Sequence, residues 1–231
     1  NCLWAEEFDH PVTEAEPPNP IEIYGRSKWE GEKIVQSFNS RMDTTIFRSP
    51  TIVSAGRLGL LGILFQFIEE GRRVYIVGGG RNRYQFIYAL DYCRAILLAL
   101  EKQLSGTYNV GSSDVPTMAD SYQHVINQAD SGARLVHLPR GLTIFLLRIL
   151  HVLRLSPLGP YQYRMIASSF EFDITKLKHD AGWQPKLTNN DMLLEAYNHY
   201  KKNKLITSDQ STSAHNRVAR GGILDLVRKL S

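Results

Sequence analysis

The segment YGRSKWEGEKIV, residues 24–35, places Tyr24 and Lys28 four residues apart, so one helical turn brings their side chains onto the same face. The spacing alone does not identify a catalytic pair, because Tyr197 and Tyr200 also precede a lysine by four residues. Those two tyrosines lie in a lysine-rich stretch that is typical of a solvated helix end, and we expect both to be surface residues. The sequence around Tyr24 must therefore decide its role.

The composition is that of a soluble globular protein of 231 residues, with 43% hydrophobic and 22% charged residues. Two cysteines are too few for a disulfide framework, and no Cys/His cluster has metal-ligand spacing. We therefore expect a cytoplasmic protein without a metal site. The net charge of +4 is concentrated after residue 200, and no basic patch is interleaved with aromatic residues, so nucleic-acid binding is not expected.

Apolar, β-branched runs alternate with helix-like segments, and short connections join them, which predicts an α/β fold with a parallel sheet. After residue 140 the pattern becomes mostly helical. The predicted elements are a helix over 21–40, a strand over 44–53 broken by Pro50, a helix over 59–71 closed by Gly71, two short strands around the glycines at 78–80, a helix from Asp91, a strand at 106–113, a helix capped by Thr117 and a strand over 133–139.

The segment GLTIFLLRILHVLRL, residues 141–155, is apolar but too short to span a membrane. Arg148, His151 and Arg154 recur every three residues and so lie on one helical face. This pattern predicts a surface helix packed on a core. The alternatives are a helix on a membrane surface and a lid over an apolar ligand.

Five segments and their order along the chain are informative about the fold: NPIEIYGRSKWEGE at 19–32, FRSPTIV at 47–53, VGGGRNRYQFIYALDYCRAILLALE at 77–101, TYNVGSS at 107–113 and FEFDITKLKHDAGWQPKLT at 170–188. Together they resemble the extended short-chain dehydrogenase/reductase family, in its NAD-dependent epimerase/dehydratase branch. The resemblance implies the C-terminal part of a Rossmann-type doubly wound parallel sheet, plus a smaller, mostly helical substrate-binding domain. The Rossmann domain would contain residues 1–55 and 85–111. The substrate-binding domain would contain residues 56–84 and 112–205. The last residues, 206–231, would form a basic tail with a short helix.

Members of this family begin with a strand, a glycine-rich turn and a helix that bind the dinucleotide pyrophosphate, and this sequence has no such unit. Their catalytic Ser or Thr precedes the Tyr by about two dozen residues, a position that would fall ahead of Asn1. We therefore expect the chain to be the C-terminal part of a longer enzyme and to be inactive alone.

The resemblance assigns Tyr24 as the general base that takes a proton from a substrate hydroxyl during hydride transfer to a nicotinamide. Lys28 would bind the cofactor ribose and act on Tyr24. A tyrosine normally titrates near ~10, and a positive charge about 4 Å away favours the phenolate, which suits a base at neutral pH. The cofactor would be NAD or NADP, with NAD favoured, and the residues bordering the nicotinamide would be Arg48, Ser49, Pro50 and Ile52.

The substrate is a small molecule whose class remains open. Nucleotide-sugar members of the family commonly have an Arg seven residues before the Asp that begins the helix, but here that position is Tyr84. The candidate substrate-binding residues are Arg57, Arg81, Arg83, Tyr84 and Arg164. The leading interpretation is an epimerase or dehydratase of sugars resembling nucleotide sugars. An alcohol or hydroxysteroid-type dehydrogenase and a non-catalytic binding relative are the alternatives.

Many family members form dimers through the helix that bears the Tyr. We expect a homodimer here too, with Ile34, Val35 and Phe38 as an apolar face on that helix. Cys93 lies in an apolar helical segment and is expected to pack in the core.

Overall fold

The computed structural model describes residues 2–4, 8–57, 59, 61–152 and 168–203. Strands and helices alternate along these ranges, which confirms the predicted α/β class. The strands are β1 Thr45–Arg48, β2 Thr51–Val53, β3 Arg73–Val77, β4 Phe86–Tyr88, β5 Gly106–Asn109 and β6 Arg134–Leu138. The α-helices are α1 Ile23–Gln36, α2 Leu61–Glu69, α3 Ala89–Glu101, α4 Met118–Ala129, α5 Arg140–Val152, α6 Thr175–Ala181 and α7 Asn189–Asn203, and a 3₁₀ turn covers Gly78–Gly80.

The chain divides into two compact units. The first comprises Asn1–Ile52, Arg83–Val115 and Ser169–Asn189, and the second comprises Val53–Asn82, Pro116–Ser168 and Asn190–Ser231. The assignment of these regions to cofactor and substrate binding stays a prediction.

In the first unit β1 and β5 are parallel neighbours, with Thr45 opposite Gly106 and Arg48 opposite Asn109. Their carboxyl ends therefore meet at one edge. Pro50 separates β1 from β2, as the sequence predicts, because proline has no N–H to donate to a strand ladder.

One buried carboxylate joins two of the recognised motifs in this unit. The Asp91 side chain accepts hydrogen bonds from the backbone N–H groups of Lys186 and Leu187, at 2.8 and 3.2 Å, and from Arg94 at 2.7 Å. The Trp183 indole donates to the Asp91 carbonyl at 3.0 Å. Asp91, in the first turn of α3, and the Gly-Trp-x-Pro segment thus form a single structural unit.

In the second unit β3 and β6 are parallel neighbours, with Arg73 opposite Arg134 at one end and Val77 opposite Leu138 at the other. Thr117 caps α4, because its hydroxyl accepts from the Asp120 N–H at 3.1 Å, and this confirms the predicted cap. Gly71 ends α2 with φ of 68°, a left-handed conformation that favours glycine.

The prediction that Tyr197 and Tyr200 are surface residues is wrong. Both rings are buried and pack against Phe65, at centroid distances of 5.7 and 5.9 Å. The buried apolar positions of α7 are Met192, Leu193, Ala196, Tyr197 and Tyr200, and their spacing forms one apolar stripe. The lysines that suggested a solvated segment occupy the opposite face, where Lys201 and Lys202 are exposed.

The prediction that Cys93 packs in the core is also wrong, because its side chain is exposed. The buried stripe of α3 is Asp91, Ala95 and Ala99, at intervals of four residues. Two residues along a helix rotate the side chain by about 200°, so Cys93 points away from that stripe.

Arg164 and the predicted tail at 206–231 lie outside the described residues. Within the described residues, no helix combines the length and apolarity that crossing a bilayer would need.

Candidate active site

Tyr24 and Lys28 lie in the first two turns of α1, and both side chains are exposed. The Tyr24 side chain is 59% exposed, and the Lys28 ammonium lies 5.6 Å from the centroid of its ring. The structure therefore brings the predicted pair together on one accessible helix face. A phenol and an ammonium in this arrangement can engage a ligand hydroxyl and a vicinal diol at the same time.

One turn further along the same face, Glu32 is buried in an ion pair with Arg48, the last residue of β1. The Arg48 Nη2 donates to Glu32 Oε1 at 2.6 Å, and its Nε lies 3.2 Å from each carboxylate oxygen. The remaining Nη1 donates to the Glu14 carbonyl at 3.2 Å, and the guanidinium lies 5.4 Å from the Trp4 ring centroid. This pair attaches α1 to the end of β1.

A second set of hydrogen bonds attaches the loop before α1 to the end of β5. The Asn109 N–H donates to the Glu14 carboxylate at 2.8 Å, and its side-chain amide donates to the Val12 carbonyl at 2.9 Å. Asn109 is the last residue of β5 and lies opposite Arg48. Open α/β sheets bind ligands outside the carboxyl ends of their strands, and these contacts hold the helix that bears Tyr24 to that edge.

Gly25, next to Tyr24, permits a close approach of the N-terminal segment to α1. A Cβ at this position would lie 2.1 Å from the Cys2 carbonyl oxygen, so a larger residue would displace one of the two segments. Sequence reasoning missed this contact and the Glu32–Arg48 pair. The position of Glu32, eight residues after Tyr24, could have indicated a partner for this helix face, since residues 24, 28 and 32 share it.

The residues predicted to border a nicotinamide follow the carboxyl end of β1. Arg48 and Pro50 are buried, whereas Ser49 and Ile52 are half-buried. Burial raises the pKa of the Tyr92 phenol, and a hydrogen bond with Ser49 opposes that rise. The guanidinium of Arg48 is occupied by Glu32 and Glu14, which gives it a structural role that the sequence did not suggest. Contact of these four residues with a nicotinamide stays a prediction.

The described candidates for substrate binding divide between the two units. In the first unit Tyr84 is buried with its hydroxyl 3.0 Å from that of Thr51, and Arg83 donates to the Val115 carbonyl at 2.7 Å. In the second unit Arg57 is half-buried and Arg81 is exposed. Their contact with a substrate stays a prediction.

Burial raises the pKa of the Glu171 carboxyl group, and the positive charge of Arg83 opposes that rise. Arg83 thus acts on an acid of its own unit. Among the described residues, no group of three or more His, Cys, Asp or Glu side chains is arranged to hold a metal ion.

Residues 4–111 match the model of the NAD dependent epimerase/dehydratase family. This region of the chain therefore resembles that family, as its motifs predict. The matched region contains α1 with Tyr24 and Lys28, and both β1 and β5, so the site described above lies within it.

Two curated relatives illustrate the range of similarity. The protein y4nG of Sinorhizobium fredii is 36% identical over 229 residues, which covers 98% of this chain and 58% of y4nG. A dTDP-glucose 4,6-dehydratase of Streptomyces niveus is 24% identical over 139 residues, covering 59% of this chain and 35% of that enzyme. The chain thus spans little more than half the length of y4nG.

The solved structure of UDP-glucuronic acid 4-epimerase from Bacillus cereus in complex with NAD aligns with a TM-score of 0.64 and 18% identity. The alignment covers 87% of this chain and 59% of that epimerase. This likeness confirms the Rossmann-type α/β fold that the sequence motifs predict.

Proposed function

We propose that the protein containing this chain is an NAD-dependent epimerase or dehydratase that acts on a nucleotide sugar or a similar sugar. The observation that supports this most is the exposed Tyr24–Lys28 pair on a helix that buried hydrogen bonds attach to the carboxyl ends of β1 and β5. The match to the family model supports the reaction class, and the similarity to a dTDP-glucose dehydratase supports the sugar.

In this proposal Tyr24 Oη takes the proton of a substrate hydroxyl and later returns it. Lys28 donates hydrogen bonds to ribose hydroxyls of the cofactor. The bound nicotinamide supplies a reversible hydride acceptor. The accessible ammonium and phenol fit such a ligand, because neither is buried and Lys28 makes no ion pair within the described ranges. During the reaction the Glu32–Arg48 pair keeps α1 attached to the carboxyl end of β1.

The test is the substitution Tyr24→Phe in the full-length natural protein that contains these residues. Loss of the proton-transfer group should lower kcat for a sugar nucleotide about 10²–10⁴-fold while NAD binding is retained. Substrates to compare are dTDP-glucose and UDP-glucuronic acid. The variant Lys28→Met should weaken NAD binding, and Lys201→Met, in the Tyr-x-x-x-Lys match of α7, serves as the control and should leave both properties unchanged.

Unchanged turnover in Tyr24→Phe would refute the assigned role. Turnover without net reduction of NAD supports an epimerase or dehydratase, whereas steady release of NADH supports a dehydrogenase. Tight ligand binding without turnover in the unsubstituted protein would favour a non-catalytic binding relative.

A hydroxysteroid-type dehydrogenase is the second candidate, and one observation favours it. The position where nucleotide-sugar members commonly carry Arg holds Tyr84, which is buried with its hydroxyl near Thr51. A buried, neutral phenol offers no cation to a diphosphate. Reduction of NAD by a panel of 3-hydroxysteroids, with no turnover of sugar nucleotides, would establish this candidate.

A further inference from the structure

Helix α5 has an apolar outer face. Its half-buried positions are Thr143, Ile144, Leu147 and Leu150, and no residue of the helix is fully buried. The exposed apolar side chains are Leu142, Phe145, Leu146, Ile149 and Val152. At 100° per residue these five cover an arc of about 120°, which is a continuous stripe on the side away from the half-buried positions.

Arg148 is exposed and lies about 40° from the edge of this stripe. Between residues 131 and 170 the sequence contains five arginines and no Asp or Glu. An apolar stripe with an arginine beside it and no acidic residue in the surrounding sequence suits a helix that lies in the interface of an anionic lipid bilayer.

We propose that α5 attaches the protein to the surface of an anionic membrane, with the Phe145 and Leu146 side chains inserted among the lipids and Arg148 at the phosphates. A second copy of the chain is a poorer occupant, because a two-fold contact would place Arg148 near its equivalent with no acidic residue between 131 and 170 to pair with it. A lipid surface with anionic phosphates accommodates Arg148 and the apolar stripe together.

The test is cosedimentation of the full-length natural protein with vesicles at ~0.1 M salt, where surface charges still act over a Debye length of about 10 Å. Binding to phosphatidylglycerol/phosphatidylcholine vesicles should exceed binding to pure phosphatidylcholine vesicles at least about ten-fold. The double variant Phe145→Glu/Leu146→Glu should reduce this binding at least about ten-fold. Arg148→Gln should weaken it about five-fold.

The matched control is Leu97→Glu/Leu100→Glu on α3, which introduces the same two charges at exposed apolar positions of the first unit. It should leave vesicle binding unchanged. In the absence of lipid, Phe145→Glu/Leu146→Glu should keep its melting temperature within about 2 °C of the unsubstituted protein, because both side chains are exposed.

Three results would overturn the proposal. The first is absence of binding to anionic vesicles. The second is a large drop in melting temperature for Phe145→Glu/Leu146→Glu without lipid, which would mean that the chain itself covers the stripe. The third is loss of a lipid-independent oligomer in that variant, which would identify the stripe as a contact between copies.

Discussion

A buried hydroxyl group links α7 to α2 in the interior of the second unit, beside the packing of their aromatic rings. Tyr197 is 1% exposed, and its Oη donates to the Glu69 carboxylate at 2.6 Å. Tyr24 has the same Tyr-x-x-x-Lys spacing but is exposed. At the scale of residues, burial rather than spacing separates a structural phenol from an available one.

Tyr197→Phe should lower the free energy of unfolding by about 1.5–3 kcal/mol at pH 7, because a hydrogen bond to a charged group is lost. Burial, and then the hydrogen bond to Glu69, raise the pKa of Tyr197 well above its usual value of 10. The unfolded chain loses this proton near ~10 and the folded chain does not, so the contribution of Tyr197 to stability is full below pH ~10 and declines above it. The variant lacks the phenolic hydroxyl, so the difference between its free energy of unfolding and that of the unsubstituted protein should be smaller at pH 11 than at pH 7.

Urea unfolding at pH 7 and pH 11 measures this difference. Tyr24→Phe is the matched control, since it removes the same atom from an exposed ring and should change stability by less than about 0.5 kcal/mol. A deficit that stays constant between the two pH values would contradict the assigned linkage.

At the scale of elements, the Glu32–Arg48 pair positions the candidate catalytic helix. Both side chains are about 5% exposed, and they join the second half of α1 to the last residue of β1. A buried ion pair adds little net stability compared with apolar packing, but removal of one partner leaves an uncompensated charge. Its role is therefore to select one position of α1 rather than to increase stability.

Arg48→Met and Glu32→Gln should each lower the free energy of unfolding by about 3–5 kcal/mol, and the double variant should lose less than the sum of the two. Denaturant unfolding of all four proteins gives the coupling energy. The control cycle is Lys33→Met with Glu30→Gln, an exposed pair at 2.7 Å on the same helix, which should couple by less than about 1 kcal/mol. Additive losses in the buried pair would show that it does not position α1.

At the scale of the whole molecule, the homodimer expected from the sequence stays a prediction. Ile34, Val35 and Phe38 on and after α1 are exposed, which provides the apolar face that such a contact needs. This surface belongs to the first compact unit, whereas the apolar stripe of α5 belongs to the second.

Ile34→Glu/Phe38→Glu should raise the dimer dissociation constant at least about a hundred-fold, because two apolar anchors are replaced by like charges in both copies. Sedimentation equilibrium of the full-length natural protein measures this constant. Phe145→Glu/Leu146→Glu should leave it unchanged. A monomeric unsubstituted protein at micromolar concentration would contradict the prediction.

Several features were predictable because they depend on neighbours along the chain. The Thr117 cap, the end of α2 at Gly71 and the interruption at Pro50 each follow from the backbone chemistry of one residue. The boundaries of α1 were less accurate, since the helix ends at Gln36 rather than near residue 40. Residues 37–42 continue as hydrogen-bonded turns, which a periodic pattern does not distinguish from helix.

The sequence by itself determined the α/β class, the resemblance to the epimerase/dehydratase family and the placement of Tyr24 and Lys28 on one helix face, because motif order and local periodicity are properties of the chain. Only the tertiary structure decided that Tyr197 is buried, that Cys93 is exposed and that Arg48 is held by Glu32 and Glu14. The burial of Tyr197 and the pairing of Arg48 depend on contacts between segments 16 to 132 residues apart, and such contacts follow from packing rather than from neighbouring residues.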